Sequence, residues 1–135
     1  MIVTTDIADI LFRDCKSFGI KDIIPFGKTI SEETKKPLTK ERITIHVKGQ
    51  TPGKYWEKCF CEVNLCVPDL SENVANTVRL KELERTAKEK FRSVTSTFDG
   101  TRYLYEVDTI TIEADTALKC HFVNCRLLFN VLNTI

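Results

Sequence analysis

The chain has 135 residues, 42% hydrophobic and 29% charged, with a net charge of +1. That length suits a single domain that buries a core without covalent staples, and the near-neutral balance argues against a generic nucleic-acid binder, which carries a basic surplus. No apolar run reaches the roughly 18 residues of a membrane span, and the N-terminus MIVTTDIADILFRD lacks the basic n-region of a signal peptide, so the expected location is a cytoplasm, where thiols stay reduced.

Residues 5–18 read as an amphipathic helix. Ile7, Ile10, Leu11, Cys15 and Phe18 follow the i, i+3, i+4 pattern. Thr4 or Thr5 is the expected cap at its start, and Gly19 the expected left-handed stop. Residues 22–30 are apolar but broken by Pro25 and Gly27, which favours an edge strand or an irregular extended piece. Residues 31–42, SEETKKPLTKER, are polar and charged, with Lys35, Lys36 and Lys40 among them, and read as a surface loop.

RITIHVK at 42–48 alternates, with Ile43, Ile45 and Val47 inward and Thr44, His46 and Lys48 outward. The turn cluster GQTPG at 49–53 joins it to a strand over 54–67 as an antiparallel hairpin. In that second strand Tyr55, Cys59, Cys61, Val63, Leu65 and Val67 share one face, and Trp56 and Phe60 have the opposite parity. After Pro68-Asp69 the pattern switches to a long helix over 69–92. Its expected apolar stripe is Leu70, Val74, Leu80, Leu83, Ala87 and Phe91, and Asp69 with Glu72 forms the expected capping box.

Residues 94–98 read as a short strand, and Asp99-Gly100 as a tight turn. Two long strands follow, 102–114 and 117–132. Both change phase: Tyr103, Tyr105 and Val107 give way to Ile110, Ile112 and Ala114, and Leu118, Cys120 and Phe122 give way to Val123, Cys125, Leu127, Phe129 and Val131. A phase slip signals a bulge; alternatively each strand covers the core at one end and a second apolar partner at the other. The fold class expected from these elements is one α+β domain over 1–135. It comprises an antiparallel sheet with one long helix and an N-terminal helix packed on one face.

Chemistry is hard to find in this pattern. The six cysteines have C-x-C and C-x4-C spacings that match no common zinc knuckle, and in a reducing compartment they read as small buried hydrophobes. His46 and His121 are the two histidines, and the parity of His46 opposes that of Cys59 and Cys61, which disfavours a cysteine–histidine pair. There is no nucleophile elbow, zinc-protease helix or phosphate loop. Asp99, Glu106, Asp108 and Glu113 are the carboxylates with some prospect of converging. No catalytic residue, cofactor or metal is expected. Trp56 and Phe60 are either exposed anchors of a protein interface, where such aromatics are enriched, or pack under the 31–42 loop or against the first helix.

The order of elements resembles that of the tail-terminator and tail-completion proteins of long-tailed bacteriophages. The resemblance runs through RITIHVKG, then KYWEKCFCEVNLCVPDLSENVANTVRLKELERTA, then the closing antiparallel pair. A strand ending near a proline, followed by a helix that lies across the sheet, is the family's recurring theme, here Leu65 to Val74. The resemblance implies a non-enzymatic structural subunit, assembled in the bacterial host cytoplasm and carried in the virion. Such subunits close into a ring, typically of six copies, that caps the tail tube and docks the head; the implied partners are the subunit itself, the tail tube and head-completion proteins. A ring requires two different patches. The expected ones are the two-faced strands, with Val123 and Leu127, and a second patch of Trp56, Phe60 and the 31–42 loop with Lys35, Lys36 and Lys40. Two other readings compete. One is a small non-catalytic binding module for single-stranded nucleic acid or a protein, of immunity or antitoxin type. The other is a small enzyme with a cysteine nucleophile.

Overall fold

The structure is a computed structural model that describes residues 1–26 and 36–132. It is an α+β fold: a six-stranded sheet in the order β1-β2-β3-β6-β5-β4, with two α-helices among the described residues. The strands are β1 (Asp22–Ile24), β2 (Arg42–Val47), β3 (Trp56–Pro68), β4 (Val94–Phe98), β5 (Thr101–Asp115) and β6 (Cys120–Leu132), and the helices are α1 (Thr4–Cys15) and α2 (Thr77–Lys90). The sheet is mixed where an antiparallel one was expected, because β1 runs parallel to β2 at one edge. Arg42 fastens that edge by donating to Asp22 at 2.8 Å.

α1 buries Ile7, Ile10, Leu11 and Cys15. Neither threonine caps it: Val3 is the cap residue, and the Asp6 carboxylate accepts from the Val3 N–H at 2.9 Å. A 3-10 turn over Lys16–Phe18 follows, and Gly19 ends it at φ 76°, the left-handed conformation that a residue without Cβ adopts without strain.

β2 and β3 form the expected hairpin, with Ile43 opposite Leu65 and Val47 opposite Cys61. β3 then pairs without interruption along β6, from Trp56 opposite Leu132 to Pro68 opposite Cys120. The odd-numbered residues of β3 from Cys59 to Val67, together with Val123, Cys125, Leu127, Phe129 and Val131 of β6, enter one apolar cluster with Ile43 and Ile45. Residues of both helices complete it, Leu80, Leu83 and Ala87 coming from α2. Full burial of such aliphatic side chains stabilises by about 1.5–3 kcal/mol each. Tyr103, Tyr105 and Phe129 stack within this cluster at centroid distances of 5.2–6.4 Å.

The helix expected over 69–92 is shorter. Its first eight positions are taken by a tight turn in which Leu70 N–H donates to Val74 O and Asn73 sits at φ 58°. Leu70 and Val74 are exposed, so the buried stripe begins at Leu80. The cap is Asn76, whose side chain accepts from the Arg79 N–H at 3.2 Å, and Asp69 is engaged elsewhere. Tyr55, expected on the cysteine face, lies before β3 and is exposed.

The two phase changes have different causes. In β5, Val107 faces Leu127 and Thr109 faces Arg126, so Asp108 is an extra residue in a bulge. The bulge returns Ile110 and Ile112 to the helix-covered face, opposite Cys125 and Val123. β6 has no bulge against β3. Cys120 instead joins Leu118, Leu38 and Cys66 in a second buried cluster, with Phe122 packed against it, so β6 covers two apolar groups from opposite faces. All six cysteines are free and buried.

Candidate interaction face

The face of the sheet away from α1 and α2 carries the even-numbered residues of β3 and β6. Its middle is polar. Asn124 Nδ2 donates to Asn64 Oδ1 at 2.7 Å, and Asn64 Nδ2 donates to Thr44 Oγ1 at 3.3 Å. These residues stand in register on three adjacent strands. The ladder satisfies polar groups that have left water: Thr44 is 1% and Asn64 6% exposed.

At the hairpin end the same face becomes aromatic and basic. A hollow of about 350 Å³ lies there, lined chiefly by Lys48, Pro52, Gly53, Trp56, Lys58 and Phe60. Local sequence makes it. Alternation places Trp56, Lys58 and Phe60 on one side of β3. Thr51 and Lys58 exchange backbone hydrogen bonds of 2.7 and 3.1 Å, folding the turn back over the strand. Gly53 approaches the Trp56 carbonyl so closely that a Cβ there would collide with its oxygen. The Arg126 guanidinium lies 4.2 Å from the Phe60 ring centroid, a cation–π contact, and Lys54 Nζ lies 5.4 Å from that of Tyr55.

Trp56 and Phe60 therefore sit together, half-buried and 36% exposed respectively, on the face opposite α1. The loop residues do not join them. Lys36 and Lys40 are exposed near Leu38, which packs on Cys66 at the opposite end of β3. Cys66 and Phe60 stand about 20 Å apart at about 3.3 Å per residue. Lys35 lies outside the described residues.

Val123 and Leu127 are corrections: both are 0% exposed and point into this chain's own core, so neither is available to a partner. Their neighbours Arg126 and Leu128 carry the opposite face. A parity choice made from apolarity alone selects the core side of a strand, because that is the more apolar one.

The remaining chemistry does not converge. Asp99, Glu106, Asp108 and Glu113 are spread along the β4–β5 turn and β5. His121 Nδ1 meets Asp69 Oδ1 at 2.6 Å, but the neighbouring Cys120 projects from the other face, so no cysteine–histidine–carboxylate line forms. Burial pushes the Cys120 and Cys125 thiols up to about 12, the reverse of nucleophile activation. Among the described residues no group of three metal-ligating side chains is present, and no helix is long and apolar enough to cross a membrane.

Lys48, Gly53 and Lys58 were not singled out from sequence as site residues. The signal was available, since GQTPGKYWEKCF places a turn cluster directly before lysine and aromatics of one parity. No family model matches the chain, and no curated protein matches it.

Proposed function

We propose that this chain is a non-catalytic structural subunit of the tail-terminator or tail-completion type, assembling with copies of itself and with phage tail and head-completion proteins in the virion. The observation that carries the reading is the sheet face away from the helices, where Trp56 and Phe60 form an aromatic anchor around a lysine-flanked hollow. Half-exposed aromatics beside a preformed cavity are what interface anchors use. A ring needs two unlike patches on each subunit. The aromatic hollow is one, and the basic stretch around Lys36 and Lys40 at the far end of the sheet is the second. In this reading the family's helix after a proline-ended strand is taken to be α2, which begins only at Thr77 and is shorter than expected.

The test is the solution mass of the chain over a range of concentrations by light scattering. It is paired with a double variant, Trp56→Ala with Phe60→Ser, placed on exposed or half-exposed positions. A hexamer-sized species that the double variant abolishes without loss of fold supports the reading. A ring that survives the double variant removes the hollow from its interface.

A second reading, a single-stranded nucleic-acid binding module, is favoured by one specific observation: Lys48, Lys54, Lys58 and Arg126 surround Tyr55, Trp56 and Phe60. Bases stack on such aromatics while lysines meet phosphates. Binding of an oligonucleotide that weakens steeply with salt supports this reading. Absence of binding at low salt removes it.

A further inference from the structure

The sheet order places β4 beside β5, but β4 pairs only with residues 101–105 of β5. Beyond that point, among the described residues, the outer edge of β5 receives one backbone partner, the Val107 N–H donating to Phe91 O at 2.9 Å. Residues 108–115 therefore present an unpaired strand edge. Natural edges of this length are blunted by charge or proline because they template pairing with another chain. Here the centre of the edge, Thr109-Ile110-Thr111-Ile112, carries neither charge nor proline.

We propose that this edge pairs antiparallel with the same edge of a second copy, about a twofold axis at Thr111. Three observations select that partner and register. The first is hydrogen-bond direction. The Val107 N–H points to the free side, and the one-residue bulge at Asp108 shifts the alternation by one, so Ile110 and Ile112 also turn their N–H and C=O outward. In the proposed register Ile110 faces Ile112 of the partner subunit, a hydrogen-bonded pair, and Thr111 faces its own copy, a non-bonded pair. The second is the side-chain pattern. Both isoleucines lie on the helix-covered face, and Ile112 is 43% exposed despite it. The pairing sets four isoleucines side by side, whereas pairing centred one residue later matches only one isoleucine type with itself. The third is charge. Glu113 falls opposite Thr109, and Asp108 opposite Ala114. A shift centred on Glu113 would oppose like charges, and one centred on Thr109 would require the Val107 N–H that Phe91 already holds.

A twofold contact closes on itself and builds no ring, so this contact is independent of the interface at Trp56 and Phe60, and either can be overturned while the other stands. The full chain carrying Thr111→Cys, an exposed position, is oxidised with diamide and resolved on a non-reducing gel. Opposed non-bonded residues have Cα atoms about 4.5 Å apart, within disulfide reach, so a covalent dimer is expected. Thr109→Cys is the control: its copy sits about 13 Å along the strand at about 3.3 Å per residue, and no dimer is expected. In a second variant, Ile112→Pro, the lost N–H faces the free edge, where proline is tolerated. The expected result, with the circular dichroism of the wild type retained, is at least a tenfold weaker dimer by concentration-dependent light scattering. A Thr111→Cys chain that stays monomeric, equal crosslinking by Thr109→Cys, or an undiminished dimer in folded Ile112→Pro each overturns the proposal.

Discussion

Asp69 and His121 meet across the end of the sheet, carboxylate Oδ1 to ring Nδ1 at 2.6 Å, with the Asp69 side chain only 5% exposed. The pair holds the chain as it leaves β3 against the start of β6, and Asp69 N–H adds a backbone bond to Lys119 O at 3.0 Å. A residue held this way is not free to cap a helix, which is why α2 starts at Thr77. Asp69→Ala leaves the ring nitrogen without its partner. The expected cost is about 1–3 kcal/mol, read as a lower midpoint in urea unfolding. Backbone amides of 70–76 are expected to exchange faster in the variant than those of α2. Unchanged exchange there would mean that the pair does not anchor the segment.

Val123→Asp and Leu127→Asp place a carboxylate where no water or partner is available. Each is expected to cost more than about 3 kcal/mol, a large share of the roughly 5–15 kcal/mol that stabilises a domain, read as a markedly lower melting temperature. Phe60→Ser, on the opposite face, is expected to change stability by about 1 kcal/mol or less. Circular dichroism and thermal melts of the three variants separate the faces. A well-folded Leu127→Asp would contradict the assignment of that residue to the core.

Most of the strand pattern was legible, because period-two apolarity is strong wherever one face is covered. The β2–β3 hairpin, β4 and the burial of Cys59 and Cys61 follow from it, and the Asp99-Gly100 turn, at φ 49° and 77°, follows from its residue types. Three features were not legible, each for a physical reason. Leu70 and Val74 sit at helical spacing from each other, but the Asp69–His121 contact and the turn at Asn73 override that periodicity. Apolarity tells that a strand changes phase without telling why: β5 slips through a bulge at Asp108, and β6 faces a second cluster around Leu118. The parity of Trp56 and Phe60 also carries Lys58, but Lys48 and Gly53 line the same hollow only because the turn folds back at Thr51, which residue spacing does not encode.

The buried thiols predict an alkaline weakness. Burial raises Cys15, and pushes Cys120 and Cys125 up to about 12, while an unfolded thiol titrates near about 8.5. A group with a raised folded pKa contributes stability that is intact below the unfolded pKa and is lost as pH climbs above it. Each such thiol removes about 1.4 kcal/mol per pH unit in that range. Urea midpoints are therefore expected to be level from pH 7 to 8 and to fall steeply from pH 9 to 10.5. Thiol labelling of the folded chain at pH 7.5 is expected to be slow at all six cysteines. Rapid labelling of one of them in the folded state would identify an accessible thiolate and revive the cysteine-nucleophile reading.

Tyr105 supplies a sharper form of the same test. Its ring is buried between Phe91 and Phe129, and its hydroxyl donates to Asp14 Oδ2 at 2.6 Å, tying β5 to the end of α1. Burial and that hydrogen bond both favour the protonated phenol, so its pKa is raised. Tyr105→Phe keeps the stacking and removes the donor, costing about 1–1.5 kcal/mol at pH 7. Above about pH 10 the unfolded chain ionises a free tyrosine while the folded chain does not, which destabilises the wild type by about 1.4 kcal/mol at pH 11. Phenylalanine has no such proton to lose. The stability gap between the two proteins is therefore expected to narrow as pH rises and to close near pH 11, where the two contributions are of similar size. Urea titrations of both at pH 7, 9, 10 and 11 measure it. A gap that stays constant over that range would mean that Tyr105 ionises as readily in the folded chain as in the unfolded one, and that Asp14 is not its acceptor.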